Sequence, residues 1–102
     1  EAGAFMVVLE GIPATLAAEI TKRISIPTMG IGAGVGCDMQ VLVAQDMLGM
    51  TEWVPKFVKK YADLRTVILD AYNEYVKEVN QKVFPSELYQ YNAKIDGLET
   101  LK

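Results

Sequence analysis

A chain of 102 residues and 11.3 kDa allows one domain with a modest core, and 51% hydrophobic against 23% charged residues excludes a disordered or fibrous class. Ten basic against 13 acidic residues leave a net charge of -3, so the basic excess of a nucleic-acid-binding protein is missing. One cysteine and no histidine exclude a disulfide framework, a Cys-based zinc site, His-ligated metal and Ser-His or Cys-His catalysis within these residues.

No apolar run reaches the ~20 residues of a membrane span, and no signal peptide opens the chain. A soluble, cytoplasmic protein is therefore expected, with no membrane and no nucleic acid among its partners. Glu1-Ala2-Gly3-Ala4 has the form of a helix end, with Gly3 as its left-handed stop. Phe5-Met6-Val7-Val8-Leu9 is apolar at every position, which predicts a parallel strand buried on both faces. Gly11 and Pro13 end it, and Pro13 suits the first turn of a helix. From Ile12 the apolar positions Leu16, Ala17, Ile20 and Ile24 draw one helical stripe.

Ser25-Ile26-Pro27 closes that helix, because the residue before proline avoids the helical region. Thr28-Met29-Gly30-Ile31-Gly32 reads as a second strand running into the loop Ala33-Gly34-Val35-Gly36. Asp38 is placed to cap a helix over 39–48, with Gly49 as its stop. Strand, helix, strand, helix is the order of a parallel α/β sheet with right-handed crossovers.

Residues 51–60, with Trp53, Pro55 and Phe57, read as a turn and a short helix. Asp63 is placed to cap a long helix over 64–82, whose apolar positions Leu64, Ile68, Ala71, Tyr72, Tyr75, Val76 and Val79 share one face. Pro85 and Ser86 stop it. The tail, residues 88–102, reads as loosely structured with a helical option from Asn92. The organisation expected is two βα units over 1–50, a helical extension over 51–87 and the tail. Two parallel strands alone cannot bury both of their faces, so further strands must come from elsewhere.

Glu10 stands at the carboxyl end of the apolar strand, where parallel α/β folds place their chemistry. A carboxylate in an apolar setting is a stronger base than a solvated one. A strand-end carboxylate paired with a nearby Lys or Arg is the structural alternative. Gly30, Gly32, Gly34 and Gly36 alternate, which matches neither the dinucleotide fingerprint nor a P-loop. Relief of crowding, or room for a bulky substrate, explains them more simply than an anion site. Asp46, late in the expected helix, opposes its dipole and calls for a partner. Cys37 reads as a small buried hydrophobe, the lysines 56, 59 and 60 as a solvated helix face, and Tyr72 and Tyr75 as packing residues.

The blocks Val7-Val8-Leu9-Glu10-Gly11-Ile12-Pro13, Ile26-Pro27-Thr28-Met29-Gly30-Ile31-Gly32-Ala33-Gly34, Cys37-Asp38-Met39-Gln40-Val41-Leu42-Val43, Asp46-Met47-Leu48-Gly49, Pro55-Lys56-Phe57-Val58-Lys59-Lys60-Tyr61-Ala62 and Phe84-Pro85-Ser86-Glu87 together resemble the ketopantoate hydroxymethyltransferase family. The resemblance implies a (β/α)8 TIM-type barrel, of which this chain would be the last two βα units followed by C-terminal helices. A full barrel takes ~200 or more residues, so the barrel would be incomplete here. It also implies transfer of a hydroxymethyl group from 5,10-methylenetetrahydrofolate to 3-methyl-2-oxobutanoate, giving 2-dehydropantoate in pantothenate biosynthesis.

Under that resemblance Glu10 is the proton acceptor and a Mg²⁺ ion binds the keto acid. The metal carboxylates and the substrate-binding Ser and Lys of the family lie in earlier strands. No metal ligand and no cofactor are therefore expected in this chain by itself, and its substrate-binding residues stay unassigned. Met39 stands where the family often has Gly, and Gln45 where it often has His before Asp46. The family also implies a homo-oligomer. Two other readings stay open: a non-catalytic interaction module that self-associates, and another barrel enzyme acting on 2-oxo acids.

Overall fold

The computed structural model describes residues 1–101. The chain divides into two compact units, Glu1–Thr66 and the residues from Val67 onward. The first unit is a small α/β piece with an open sheet of three parallel strands. Strand β1 (Val7–Glu10) leads through helix α1 (Ala14–Arg23) to strand β2 (Thr28–Ile31), and strand β3 (Met39–Gln40) follows, in the spatial order β1-β2-β3. The register pairs Val8 with Met29 and Glu10 with Ile31 across β1 and β2, and Met29 with Met39 across β2 and β3. Backbone bonds from Val7 N–H to Pro27 C=O (3.0 Å) and from Gly11 N–H to Ile31 C=O (2.9 Å) extend the first ladder at both ends.

One face of the sheet is covered. Leu9 and Ala17 are buried, and Val7 and Ile20 pack against them, so α1 lies on the Val7–Leu9 side of β1. Side chains alternate along a strand, which puts Val8, Glu10, Met29, Ile31 and Met39 on the opposite face. Val8 is 55% exposed there, so burial on both faces of β1, expected from its unbroken apolar run, is not supplied by these elements.

The second crossover differs from the expected one. Residues 39–40 form a strand, and the only helix of this stretch is the short α2 (Ala44–Met47). Asp38 caps no helix. Its carboxylate Oδ2 accepts from the Thr28 N–H (2.8 Å) and hydroxyl (3.1 Å), while its own N–H donates to Thr28 Oγ1 (3.0 Å). Thr21 of α1 closes the cluster, with its Oγ1 2.8 Å from that of Thr28. The same Asp acceptor chemistry that makes a good cap here pins β3 to the start of β2.

Gly49 does end α2, as expected. It is left-handed at φ 69°, its N–H donates to Asp46 C=O (3.0 Å), and Met50 N–H donates to Gln45 C=O (2.9 Å), the Schellman arrangement. The carbonyls of Met47, Leu48 and Gly49 then accept from the N–H groups of Tyr61, Leu64 and Arg65. These bonds satisfy orphan acceptors of the helix end and hold the chain's return beside it. The short helix expected within 51–60 is absent; the segment is irregular, with a bend at 51–52 and one turn at 56–57.

Helix α3 (Leu64–Asn80) begins where Asp63 predicts: its carboxylate accepts from the Thr66 hydroxyl (2.7 Å) and N–H (3.3 Å). It stops two residues before the expected end. Lys82 adopts φ 57°, its N–H bonds to Val79 C=O, and Val83 N–H bonds to Glu78 C=O, a Schellman stop without glycine. The apolar stripe of α3 has no buried residue, and Tyr72 and Tyr75 are exposed rather than packed in a core. Tyr75 meets Phe84 edge to face with ring centroids 5.7 Å apart. The tail makes two 3-10 turns, at Glu87–Tyr89 and Leu98–Thr100, and the helical option from Asn92 is not taken.

Removal of the Asp38 carboxylate leaves the fully buried Thr28 without its acceptor, so Asp38→Ala is expected to lower stability by about 1–3 kcal/mol. Asp38→Asn, which keeps an acceptor oxygen, should lose less. Urea midpoints compare the two, and equal losses would contradict the assigned bonds.

The Thr66 hydroxyl and N–H hold the Asp63 carboxyl below the ordinary aspartate value of 3.8. A carboxylate with a lowered folded pKa stabilises the fold above its unfolded pKa, and that contribution fades as pH falls through the folded value. The first turn of α3 should therefore fray as the pH drops below 3.8, and Asp63→Asn should remove this acid dependence. Amide exchange of Thr66 read by NMR measures both; unchanged acid fraying in Asp63→Asn would refute the cap's role.

Candidate active site

The carboxyl ends of the three strands carry Glu10, Ile31 and Gln40. Glu10 lies on the open face in register with Ile31, is exposed, and forms no ion pair among the described residues. The apolar enclosure expected around it is thus not provided by these elements. Its carboxylate is free to meet a molecule over the open face.

At the same end of the sheet, the loops after β1 and β2, the segment leaving β3 and residues of the 56–61 segment line a cleft of about 760 Å³. Gly11, next to Glu10, is part of its wall. The only charged side chains in the lining are Lys56 and Lys59, and Phe57 and Tyr61 supply aromatic surface. The Lys59 ammonium stands 4.9 Å from the centre of the Tyr61 ring, within cation–π range. Gln40 donates from Nε2 to Gly34 C=O at 2.8 Å and so braces the glycine loop against the end of β3.

The glycines work by close packing. Gly32 is left-handed at φ 65°, and a Cβ there would come 2.6 Å from the Phe57 ring. Gly34 and Gly36 lie against Ala14 and Ala18, one turn apart on α1. Crowding, the simpler of the two readings of this motif, accounts for all three. A Cβ at Gly30 would come 2.8 Å from Cys37 Sγ, and Cys37 packs against the core as a small partly buried side chain.

The remaining sequence candidates are dispersed. Asp38 sits with Thr28 at the amino end of β2, remote along the strand from Glu10. Asp46 finds the partner it needs in the Thr51 hydroxyl (2.9 Å), but within the first turn of α2 rather than late in a longer helix. Lys60 donates to the carbonyls of Thr51 and Glu52, outside the cleft. Lys56 and Lys59, read from the sequence as a solvated helix face, line the cleft instead. Only tertiary folding brings them beside the glycine loop, and no spacing rule in the sequence signals it.

A Mg²⁺ ion needs oxygen ligands in near-octahedral array, commonly one or two carboxylates with substrate and water. Among the described residues Glu10 is the one acidic side chain on the open face of the strands, and no three acidic or Cys side chains gather. The residues present do not by themselves fit such an ion. No helix among the described residues is long and apolar enough to cross a membrane.

The sequence profile of the family described as ketopantoate hydroxymethyltransferase matches residues 1–87. A 3-methyl-2-oxobutanoate hydroxymethyltransferase of Pelobacter propionicus is 60% identical over 92 residues, covering 89% of this chain and 34% of the relative. The enzyme of that name from Clostridium novyi is 57% identical over 97 residues, covering 94% and 34%. That from Clostridioides difficile is 50% identical over 102 residues, covering 99% and 37%. The chain spans about a third of the length of the curated relatives it matches.

The geometry of the cleft wall makes one position decisive. Gly32→Ala adds a left-handed alanine and an overlap with Phe57, and is expected to destabilise by about 2 kcal/mol or more. Phe57 should move with it, visible as shifted ring resonances. A neutral effect on the urea midpoint would show that the ring is not seated on Gly32.

Proposed function

The chain belongs to the ketopantoate hydroxymethyltransferase family, and on that premise we propose that it is the C-terminal portion of an enzyme moving a hydroxymethyl group from 5,10-methylenetetrahydrofolate to 3-methyl-2-oxobutanoate. Residues 1–50 would carry the last βα units of a (β/α)8 barrel, 51–87 the extension that follows it, and 88–102 the tail. The open face bearing Val8, Met29 and Met39 would then look into the barrel, as inward-facing side chains of barrel strands do.

Glu10 is the proton acceptor in this reading. The carbon beside the ketone gives up its proton to the carboxylate, and the resulting enolate carbon bonds to the methylene carbon of the folate as one C–N bond breaks and that nitrogen takes up a proton; water then supplies the hydroxyl oxygen as the second C–N bond breaks, releasing tetrahydrofolate. What supports the assignment is the place of Glu10: the last residue of β1, on the open face, at the strand end where barrels hold their chemistry. Carboxylates outside these residues would hold the family's Mg²⁺. The complete enzyme would work as a homo-oligomer in the cytoplasm, and the 102-residue chain alone would be inactive.

The exposed Val8 face favours a second reading, a non-catalytic module that covers this face with another copy of itself. Catalysis separates the two. In the full-length transferase, Glu10→Gln keeps the side-chain shape and removes the base, so kcat should fall by ~10²–10⁴ while keto-acid binding persists. Near-normal turnover would remove Glu10 from the mechanism.

A further inference from the structure

The cleft beside Glu10 carries a chemical bias that proton abstraction does not use. It offers two ammonium groups, aromatic surface from Phe57 and Tyr61, and no carboxylate in its lining. Neither Lys56 nor Lys59 is ion-paired among the described residues, while the neighbouring Lys60 is engaged by two carbonyls. The glycine loop spends its small size on contacts with α1 and Phe57. A volume of about 760 Å³ lies within the usual range for organic ligands and far exceeds a simple anion.

We propose that this cleft binds a planar aromatic group bearing carboxylates, with Lys56 and Lys59 pairing the carboxylates and Phe57 packing against the ring. Resting on the function proposed above, the ligand is the p-aminobenzoyl-glutamate part of the folate co-substrate. Its opposite end, which carries the one-carbon unit, then lies toward Gly11 and Glu10. The two lysines are positioning residues for the co-substrate and leave the keto acid untouched. Phe57 is held for this purpose by Gly32, whose missing side chain lets the ring seat on the loop.

The test uses the full-length transferase and p-aminobenzoyl-glutamate as the probe, with calorimetry at low salt. Wild type should bind it. Lys56→Gln and Lys59→Gln should each weaken binding about threefold, and the double variant about tenfold, the size expected of partly exposed ion pairs. Lys56→Arg with Lys59→Arg should keep most of the affinity, which guards against a folding artefact. In steady-state kinetics the double Gln variant should raise KM for the folate and not for the keto acid. Unchanged probe binding in the double Gln variant, equal binding of inorganic phosphate, or a matching rise in keto-acid KM would each overturn the site. Failure of the wild type to transfer any hydroxymethyl group would overturn the parent function instead, and the binding measurement is read independently of it.

Discussion

Thr28 is the one fully buried polar side chain among the described residues, and three separate parts of the first unit meet on it. Its N–H and hydroxyl reach the Asp38 carboxylate, its oxygen receives the Asp38 N–H, and Thr21 brings α1 into the same knot. A buried hydroxyl without partners costs about 1–3 kcal/mol, so the cluster specifies position as well as adding stability. The peptide following Asp38 is thereby set beside β2 with Met39 opposite Met29. That register brings the carboxyl ends of the strands together, and the cleft exists because they are together.

The two ends of the sheet are therefore built from different materials. Side-chain hydrogen bonds tie the amino end, and loops with few side-chain bonds surround the carboxyl end. The glycine loop is held by contact with α1 and by the single bond from Gln40. The return segment is held by the carbonyls at the end of α2. Glu10 stands on a ladder fixed at both ends, so its backbone is placed by the sheet while its side chain stays accessible.

Much of this was legible in the residues. The apolar run before Glu10, the helical stripe of α1 and the glycine-rich β2 are local patterns, and each marks its element, although β1 runs Val7–Glu10 rather than 5–9, with Phe5 exposed outside it. Asp63 and Gly49 work as a cap and a stop because both motifs are local in sequence. Asp38 shows the limit: an acidic residue before an apolar stretch looks like a cap, but its donors lie ten residues upstream on Thr28. A two-residue strand has no period to read, so β3 leaves no trace. The stop at Lys82 leaves none either, because its left-handed residue is not glycine. Lys56 and Lys59 become cleft residues through a chain return that depends on α2, and no sequence spacing encodes that. Glu10 stands at the end of β1, as the apolar run before it predicts, but these elements do not supply the apolar surroundings expected there.

The contacts of the glycine loop bear on how such a site can change over evolutionary time. Gly34 faces Ala14 too closely to admit a side chain, so this wall of the cleft can neither grow nor gain a charge without moving α1. The 56–61 segment has no such constraint at Lys56 and Lys59, whose exposed side chains can change without disturbing the packing of α1. Divergence in ligand preference among proteins built this way should accumulate on the lysine-bearing wall, leaving the glycine wall as a fixed template against which new specificities are tried.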